Sequence, residues 1–212
     1  MSEIIPAILS KEVGDVRSKL KKVEKLATWV QIDIADGDFV NNKTVTVEQL
    51  VGLETSLNLE AHLMVLQPER HLMACKQANI GRVIIHLETI DRTSNQIFKE
   101  INKLDMEVGI ALNPDTPVPQ VLPYLKRIQV VLFMSVHPGF QAQAFIPGVL
   151  ERIKELKEYD QEMKIAVDGG INIKTIQKVA RAGVDYIDVG SALFNYGDIE
   201  ANYHQLQSLI KA

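Results

Sequence analysis

Cysteine is almost missing from this 212-residue chain, with Cys75 its sole representative. No internal disulfide can form, and the paired-cysteine metal and redox motifs need partners that Cys75 lacks. Long hydrophobic runs are missing as well. No stretch of about 18 apolar residues occurs, so no membrane span is expected. The start, Met1-Ser2-Glu3-Ile4-Ile5-Pro6, has neither the basic opening nor the apolar stretch of a signal peptide. Nor is there an excess of basic residues: 23 Lys and Arg stand against 27 Asp and Glu, a net charge of −4. A phosphate backbone would not be neutralised by such a chain, so nucleic acid is not an expected partner. Low-complexity tracts and Gly/Ser/Pro-rich linkers are absent, which leaves one expected domain over residues 1–212. The expectation is a soluble, cytoplasmic protein of ordinary globular composition, 46 % hydrophobic and 24 % charged.

What the chain does have is a rhythm. Short β-branched runs at 4–9, 28–34, 59–65, 82–87, 106–112, 128–136, 164–167 and 186–189 alternate with polar helical stretches. The runs begin roughly 26 residues apart, the size of one βα unit. Residues 11–26 carry Val16, Leu20, Val23 and Leu26 at three- and four-residue spacing, an apolar stripe that would cover a sheet. Helices are likewise expected at 149–159, 172–182 and 199–210. Gly183 and Gly81 fall where helices would meet strands, and each is expected to serve as a left-handed cap. Strand and helix alternating about eight times predict parallel strands with right-handed crossovers, closing into a (β/α)8 TIM barrel. A doubly wound open sheet is the alternative architecture. It usually has fewer strands, and no Gly-x-Gly-x-x-Gly turn follows the first strand here.

Buried parallel strands should read as nearly continuous aliphatic sequence. Several of these do not. Gln31 and Asp33 share one face of the second strand, Glu60, His62 and Met64 one face of the third, and Arg82 and His86 one face of the fourth; the seventh ends at Asp168-Gly169-Gly170. Taken singly, each has a structural explanation. A strand-end histidine such as His86, or His71 elsewhere, is most often a hydrogen-bonded core residue, Asp36-Gly37 and Asp168-Gly169 are turn dipeptides, and Arg82 with Glu60 makes an internal ion pair near the barrel floor. Taken together, Asp33, His62 and Asp168 fall at the carboxyl ends of strands two, three and seven, where barrel enzymes keep their chemistry.

Eight strands spaced about 4.8 Å apart and tilted about 36° close at a radius of roughly 7–8 Å. Across such a ring, inward-pointing Asp33 and Asp168 would leave their carboxylates roughly 6 Å apart, room for one substrate carbon or for a divalent cation shared with His62. Imidazole with carboxylates suits zinc, iron, manganese or cobalt. A second constellation suits anions. Gly169-Gly170 after strand seven and Gly190-Ser191 after strand eight allow backbone N–H groups to approach a phosphate, with favourable dipole expected from the helix that follows. A third is the long loop after strand six, from Met134 through Gly139, Phe140, Gln141 and Ala142 to Pro147, a candidate lid.

These segments carry a resemblance along nearly the whole chain. Pro6-Ala7-Ile8-Leu9-Ser10, Asp33-Ile34-Ala35-Asp36-Gly37-Asp38-Phe39-Val40, Ala61-His62-Leu63-Met64-Val65, Gly109-Ile110-Ala111-Leu112-Asn113-Pro114, His137-Pro138-Gly139-Phe140, Val167-Asp168-Gly169-Gly170 and Gly190-Ser191-Ala192-Leu193-Phe194, in this order, resemble the ribulose-phosphate 3-epimerase family. The resemblance implies a barrel that interconverts ribulose 5-phosphate and xylulose 5-phosphate, with a divalent metal at the reacting oxygens. It implies that Asp33 and Asp168 are both the acid/base pair and metal ligands, with His62 a further ligand and Gln31 at the position of another. Gly169, Gly170, Gly190 and Ser191 would hold the phosphate, and Met64 and Met134 would line the pocket. It also implies assembly into a homo-oligomer.

The chain departs from the family pattern around that pocket. Gln31 stands where the family has His, Ala7 for Ser, Ala35 for Met, Asp38 for His, His137 for Asn, and Gln141-Ala142 for Gly-Gly. Three readings follow: a metal-assisted epimerase of a ketose phosphate, a lyase or isomerase acting on another sugar phosphate, or a sugar-phosphate-binding paralogue without catalysis.

Overall fold

In the computed structural model, which describes residues 2–90, 95–140 and 142–211, eight strands run parallel. They are β1 (Glu3–Ile8), β2 (Trp29–Ala35), β3 (Asn58–Met64), β4 (Ile80–His86), β5 (Glu107–Leu112), β6 (Val130–Met134), β7 (Lys164–Asp168) and β8 (Tyr186–Val189). Each pairs with the next in chain order, and β8 returns to β1 through Ile5 opposite Asp188, closing the expected barrel. Period-2 alternation then decides the faces. Ile32, Ile34, Leu63, Val83, Ile85, Val131, Phe133, Val167 and Ile187 point outward into one continuous core with the helices. Phe133 is wholly buried there, and cutting such a ring back to Ala costs roughly 3–5 kcal/mol.

The inward residues divide the barrel in two. Ile84, Ala111, Val130, Leu132, Met134 and Ala166, from β4 to β7, form an apolar cluster. The other side presents Gln31, Asp33, Glu60, His62 and Asp188, all buried. That asymmetry positions the site.

The helices are α1 (Val13–Val23), α2 (Leu72–Gln77), α3 (Asn95–Lys103), α4 (Val149–Tyr159), α5 (Ile176–Arg181), α6 (Ser191–Phe194) and α7 (Ile199–Lys211). α4 has the bounds its spacing predicted, and α1 is shorter at both ends. α5 begins at Ile176 instead of Asn172, because Asn172 and Thr175 close a turn on themselves through Asn172 N to Thr175 Oγ1 at 2.9 Å and Thr175 N to Asn172 O at 3.0 Å. Two crossovers contain no α-helix, contrary to the regular alternation expected. β2 reaches β3 through a 3-10 turn at Val47–Leu50, and β5 reaches β6 through Val118–Gln120 and Leu122–Arg127. Pro117, Pro119 and Pro123 crowd the second of these, and each removes a backbone donor that a longer helix would need. Gly183 has the expected left-handed conformation, φ +80, whereas Gly81 lies inside β4 and the preceding Asn79, φ +55, makes the cap. A short polar side chain that bonds locally tolerates that region better than most. Among the described residues, no helix is long and apolar enough to cross a membrane.

Candidate active site

The site lies at the carboxyl ends of β1, β2, β3, β6, β7 and β8. Thr44 Oγ1 accepts from Ala35 N and donates to the Asp33 carbonyl, both at 2.8 Å, which clamps the end of β2. Asp36-Gly37 is a turn, as its dipeptide suggested: Asp36 Oδ1 accepts from Asp38 N and Phe39 N, and Oδ2 accepts from Leu66 N. Asp168, by contrast, reaches into the pocket.

Asp33, His62 and Asp168 converge. One atom from each lies within 4.8 Å of the others, nearer than the roughly 6 Å expected from ideal barrel geometry. His62 Nδ1 is 3.1 Å from Asp33 Oδ1 and 3.6 Å from Asp168 Oδ2. Gln31 draws the carboxylates together: its amide nitrogen donates to Asp33 Oδ1 at 3.1 Å and to Asp168 Oδ2 at 3.2 Å. Its carbonyl oxygen, buried, has no partner. Two anionic acceptors attract the donor end of the amide; a half-turn would aim the oxygen at them, which is favourable only with a cation between.

The electrostatics follow from this crowding. Burial, and next the charge of Asp33, push the Asp168 carboxyl up to about 7. For His62, burial opposes the imidazolium, yet the hydrogen bond to Asp33 and the charges of Asp33, Asp168 and Glu60 outweigh it and move the ring upward. Behind His62 runs a relay. His62 Nε2 meets His86 Nε2 at 2.9 Å, and His86 Nδ1 meets Glu88 Oε2 at 3.3 Å. Glu88 also accepts from Asn113 N at 2.9 Å and from Thr116 Oγ1, and these bonds overcome burial to hold its carboxyl below the usual range. Burial pushes His86 down to about 4, so it is neutral. With Glu88 ionised, the single His86 proton sits on Nδ1, and His86 Nε2 must accept. The His62 Nε2 therefore donates, and His62 Nδ1 is left either protonated or free to ligate.

These donors fit a divalent cation. Two carboxylates and an imidazole whose second nitrogen is oriented by a further hydrogen bond are a common ligand set, and the orphaned Gln31 oxygen is a fourth donor one amide rotation away. Charge points the same way, since no Lys or Arg is among the described residues lining the pocket.

The remaining predicted residues also surround this pocket. Met64, Met134, Gly139, Phe140, Ala142, Gly169, Gly170, Gly190 and Ser191 all line it, with Ala7 and Asp188; Gln141 lies outside the described residues. Gly169 and Gly170 have a second reason to be glycine. Their φ values are +108 and +64, and an added Cβ would meet the Val136 side chain at 2.4 Å and the Phe145 backbone at 2.7 Å. The helix dipole expected behind the glycines is weak, because α6 has four residues and α5 starts six residues beyond Gly170. The loop after β6 folds over the mouth, tied by Asn42 Nδ2 to the Gly139 carbonyl at 2.6 Å, and Ala142 adopts φ +60, a conformation that glycine takes without cost.

Two residues were missed. Asp188 lines the pocket fully buried, and its signal was legible: a charge alternating with Ile187 and Val189 in an aliphatic strand. Glu88 lies past the end of β4, beyond the reach of strand periodicity.

Fold and site together are those of a (β/α)8-barrel enzyme, with its polar groups gathered where the strands end. A family model, the ribulose-phosphate 3 epimerase family, matches residues 3–194. The ribulose-phosphate 3-epimerase of Bacillus subtilis is 34 % identical, over 93 % of this chain and 94 % of its own length, and that of Aquifex aeolicus is 34 % identical over 99 % and 97 %. The chain belongs to the ribulose-phosphate 3-epimerase family and is an epimerase-type isomerase. Among solved structures, the 3-hexulose-6-phosphate synthase of Salmonella typhimurium superposes with a TM-score of 0.76 at 14 % identity, covering 99 % of this chain and 98 % of that one, a likeness of fold.

Proposed function

We propose that the protein inverts the carbon beside the ketone of a phosphorylated ketose, interconverting ribulose 5-phosphate and xylulose 5-phosphate. The observation that carries this reading is the pair Asp33 and Asp168, reaching in from β2 and β7 and joined through one amide. A hydrogen beside a ketone is weakly acidic, and its removal leaves a planar enediolate. Inversion needs a base on one face and an acid on the other. One of the two carboxyl groups removes the proton and the other delivers its own to the opposite face; the reverse reaction exchanges the roles.

Asp33, His62 and Asp168 would hold a divalent ion of the zinc, iron, manganese or cobalt type, which as a Lewis acid supplies several kcal/mol of stabilisation to the developing negative charge. The backbone at Gly169, Gly170, Gly190 and Ser191 would take the phosphate, Met64 and Met134 form apolar walls, and the loop over Gly139 and Phe140 excludes water. A turnover assay on ribulose 5-phosphate, with and without added Mn²⁺, Fe²⁺ or Zn²⁺, tests this. Formation of xylulose 5-phosphate that requires one of these ions is the expected result; ketose phosphate that binds and is never converted contradicts it.

A further inference from the structure

We propose that Asp188 is a recognition group of the same pocket, whose carboxyl takes a hydroxyl of the sugar chain between the reacting carbon and the phosphate ester. The inference rests on the sugar-phosphate reading above and adds a contact that fixes which sugar chain fits.

Asp188 is 1 % exposed, and neither carboxyl oxygen has a hydrogen-bond partner. It faces inward, because Ile187 and Val189 on either side pack outward into the helices, and it lines the pocket. The other acids of the barrel interior each have at least one partner, Glu60 in Arg82 at 2.9 Å through Oε2 alone, Asp33 in Gln31 and His62, and Asp168 in Gln31, whereas both oxygens of Asp188 lack one. A folded protein leaves such a group unpaired at a cost to its stability, and one common reason is that the partner arrives with the ligand.

Topology says which part of the ligand that is. β8 and β1 occupy the arc between β7, which carries Asp168, and β2, which carries Asp33. Asp188 stands on that arc, two residues before Gly190, which follows the end of β8. A ketose phosphate with its reacting carbon between the two acids and its ester at Gly190 and Ser191 lays its intervening carbons over Asp188. Ala7 lines the same pocket from β1, two residues beyond Ile5, which pairs with Asp188, and its methyl group leaves space there. Burial, with the charges of Glu60, Asp168 and Asp33, raises the proton affinity of Asp188. A carboxyl in either protonation state accepts a hydrogen bond from a hydroxyl group.

Binding of three probes tests the assignment: ribulose 5-phosphate, its analogue lacking the hydroxyl next to the ester-bearing carbon, and inorganic phosphate, each titrated into wild type, Asp188→Asn and Asp188→Val. Asp188→Val is expected to weaken ribulose 5-phosphate by about 10-fold or more while leaving the deoxy analogue and phosphate within about 3-fold of wild type. Asp188→Asn keeps most of the affinity, since an amide also donates and accepts. Free of ligand, Asp188→Val melts at or above the wild-type temperature, because a partnerless buried acid has gone. Wild-type affinity for ribulose 5-phosphate in Asp188→Val, equal loss for the deoxy analogue, or a melting temperature well below wild type in both variants overturns the assignment and leaves the function standing. Wild-type protein that binds phosphate but neither ketose phosphate overturns both.

Discussion

Two layers of charge share the barrel interior, and they are completed in opposite ways. In the lower layer Arg82 donates to Glu60 at 2.9 Å and Glu107 at 2.7 Å, with its guanidinium against the rings of Trp29 and Tyr186. Cation, anions and rings account for one another except at Glu60 Oε1, which has no hydrogen-bond partner. In the upper layer Asp33, Asp168 and Asp188 face a pocket with no lysine or arginine among its described lining residues; the Gln31 amide and the His62 ring temper Asp33 and Asp168, and Asp188 has no hydrogen-bond partner. A satisfied network fixes a structure; an unsatisfied one awaits something that binds.

Breaking the lower layer should have the largest effect. Arg82→Met strands the buried Glu60 and is expected to cost roughly 3–5 kcal/mol in urea unfolding, whereas the pair Glu60→Leu with Arg82→Met recovers most of it. If the single change is harmless, the lower layer is not the anchor described here.

In the upper layer, removing a charge should help the metal-free protein. Asp168 ionises near 7 when folded and at its ordinary value of 3.8 when free, so the folded state binds the extra proton between those values. Its stabilising contribution is complete below the lower value and is lost as pH rises through the upper one. The raised His62 ring loses its contribution in the same direction. With chelator present, Asp168→Asn should therefore raise the melting temperature more at about pH 8 than at about pH 5. Equal shifts at both would remove the repulsion with Asp33 from the account.

The smallest effect sharpens the comparison from behind. Glu88→Gln weakens the acceptor that orients His86, and through it His62, and is expected to reduce Mn²⁺ or Zn²⁺ affinity about 10-fold while leaving the unliganded melting temperature nearly unchanged. Metal titration monitored by calorimetry reads this without any turnover; undiminished affinity would make the relay a packing feature.

The sequence carried the barrel because its rules are local. A repeat of roughly 26 residues and uninterrupted aliphatic strands leave little choice of architecture. The crossovers through Val47–Leu50 and Leu122–Arg127 were not foreseen, since strand spacing stays regular through both, and only the second carries prolines that suppress a helix. In the site, Asp33, His62 and Asp168 announced themselves as polar residues at strand ends. Their separation did not, because a side-chain bridge from Gln31, and not barrel geometry alone, sets it. Asp188 was hidden in plain sight beside the more conspicuous Gly190-Ser191, and the partnerless state of its oxygens exists only in three dimensions.

The most direct measurement is hydrogen exchange at the carbon beside the ketone. Ribulose 5-phosphate incubated in deuterated water with metal-loaded wild type should take up deuterium at that carbon; Asp33→Asn should abolish the uptake, and Asp168→Asn should abolish formation of xylulose 5-phosphate. Bound substrate that keeps its hydrogen, an Asp33→Asn variant that exchanges as fast as wild type, or an Asp168→Asn variant that epimerises as fast would contradict proton transfer between these two carboxyl groups.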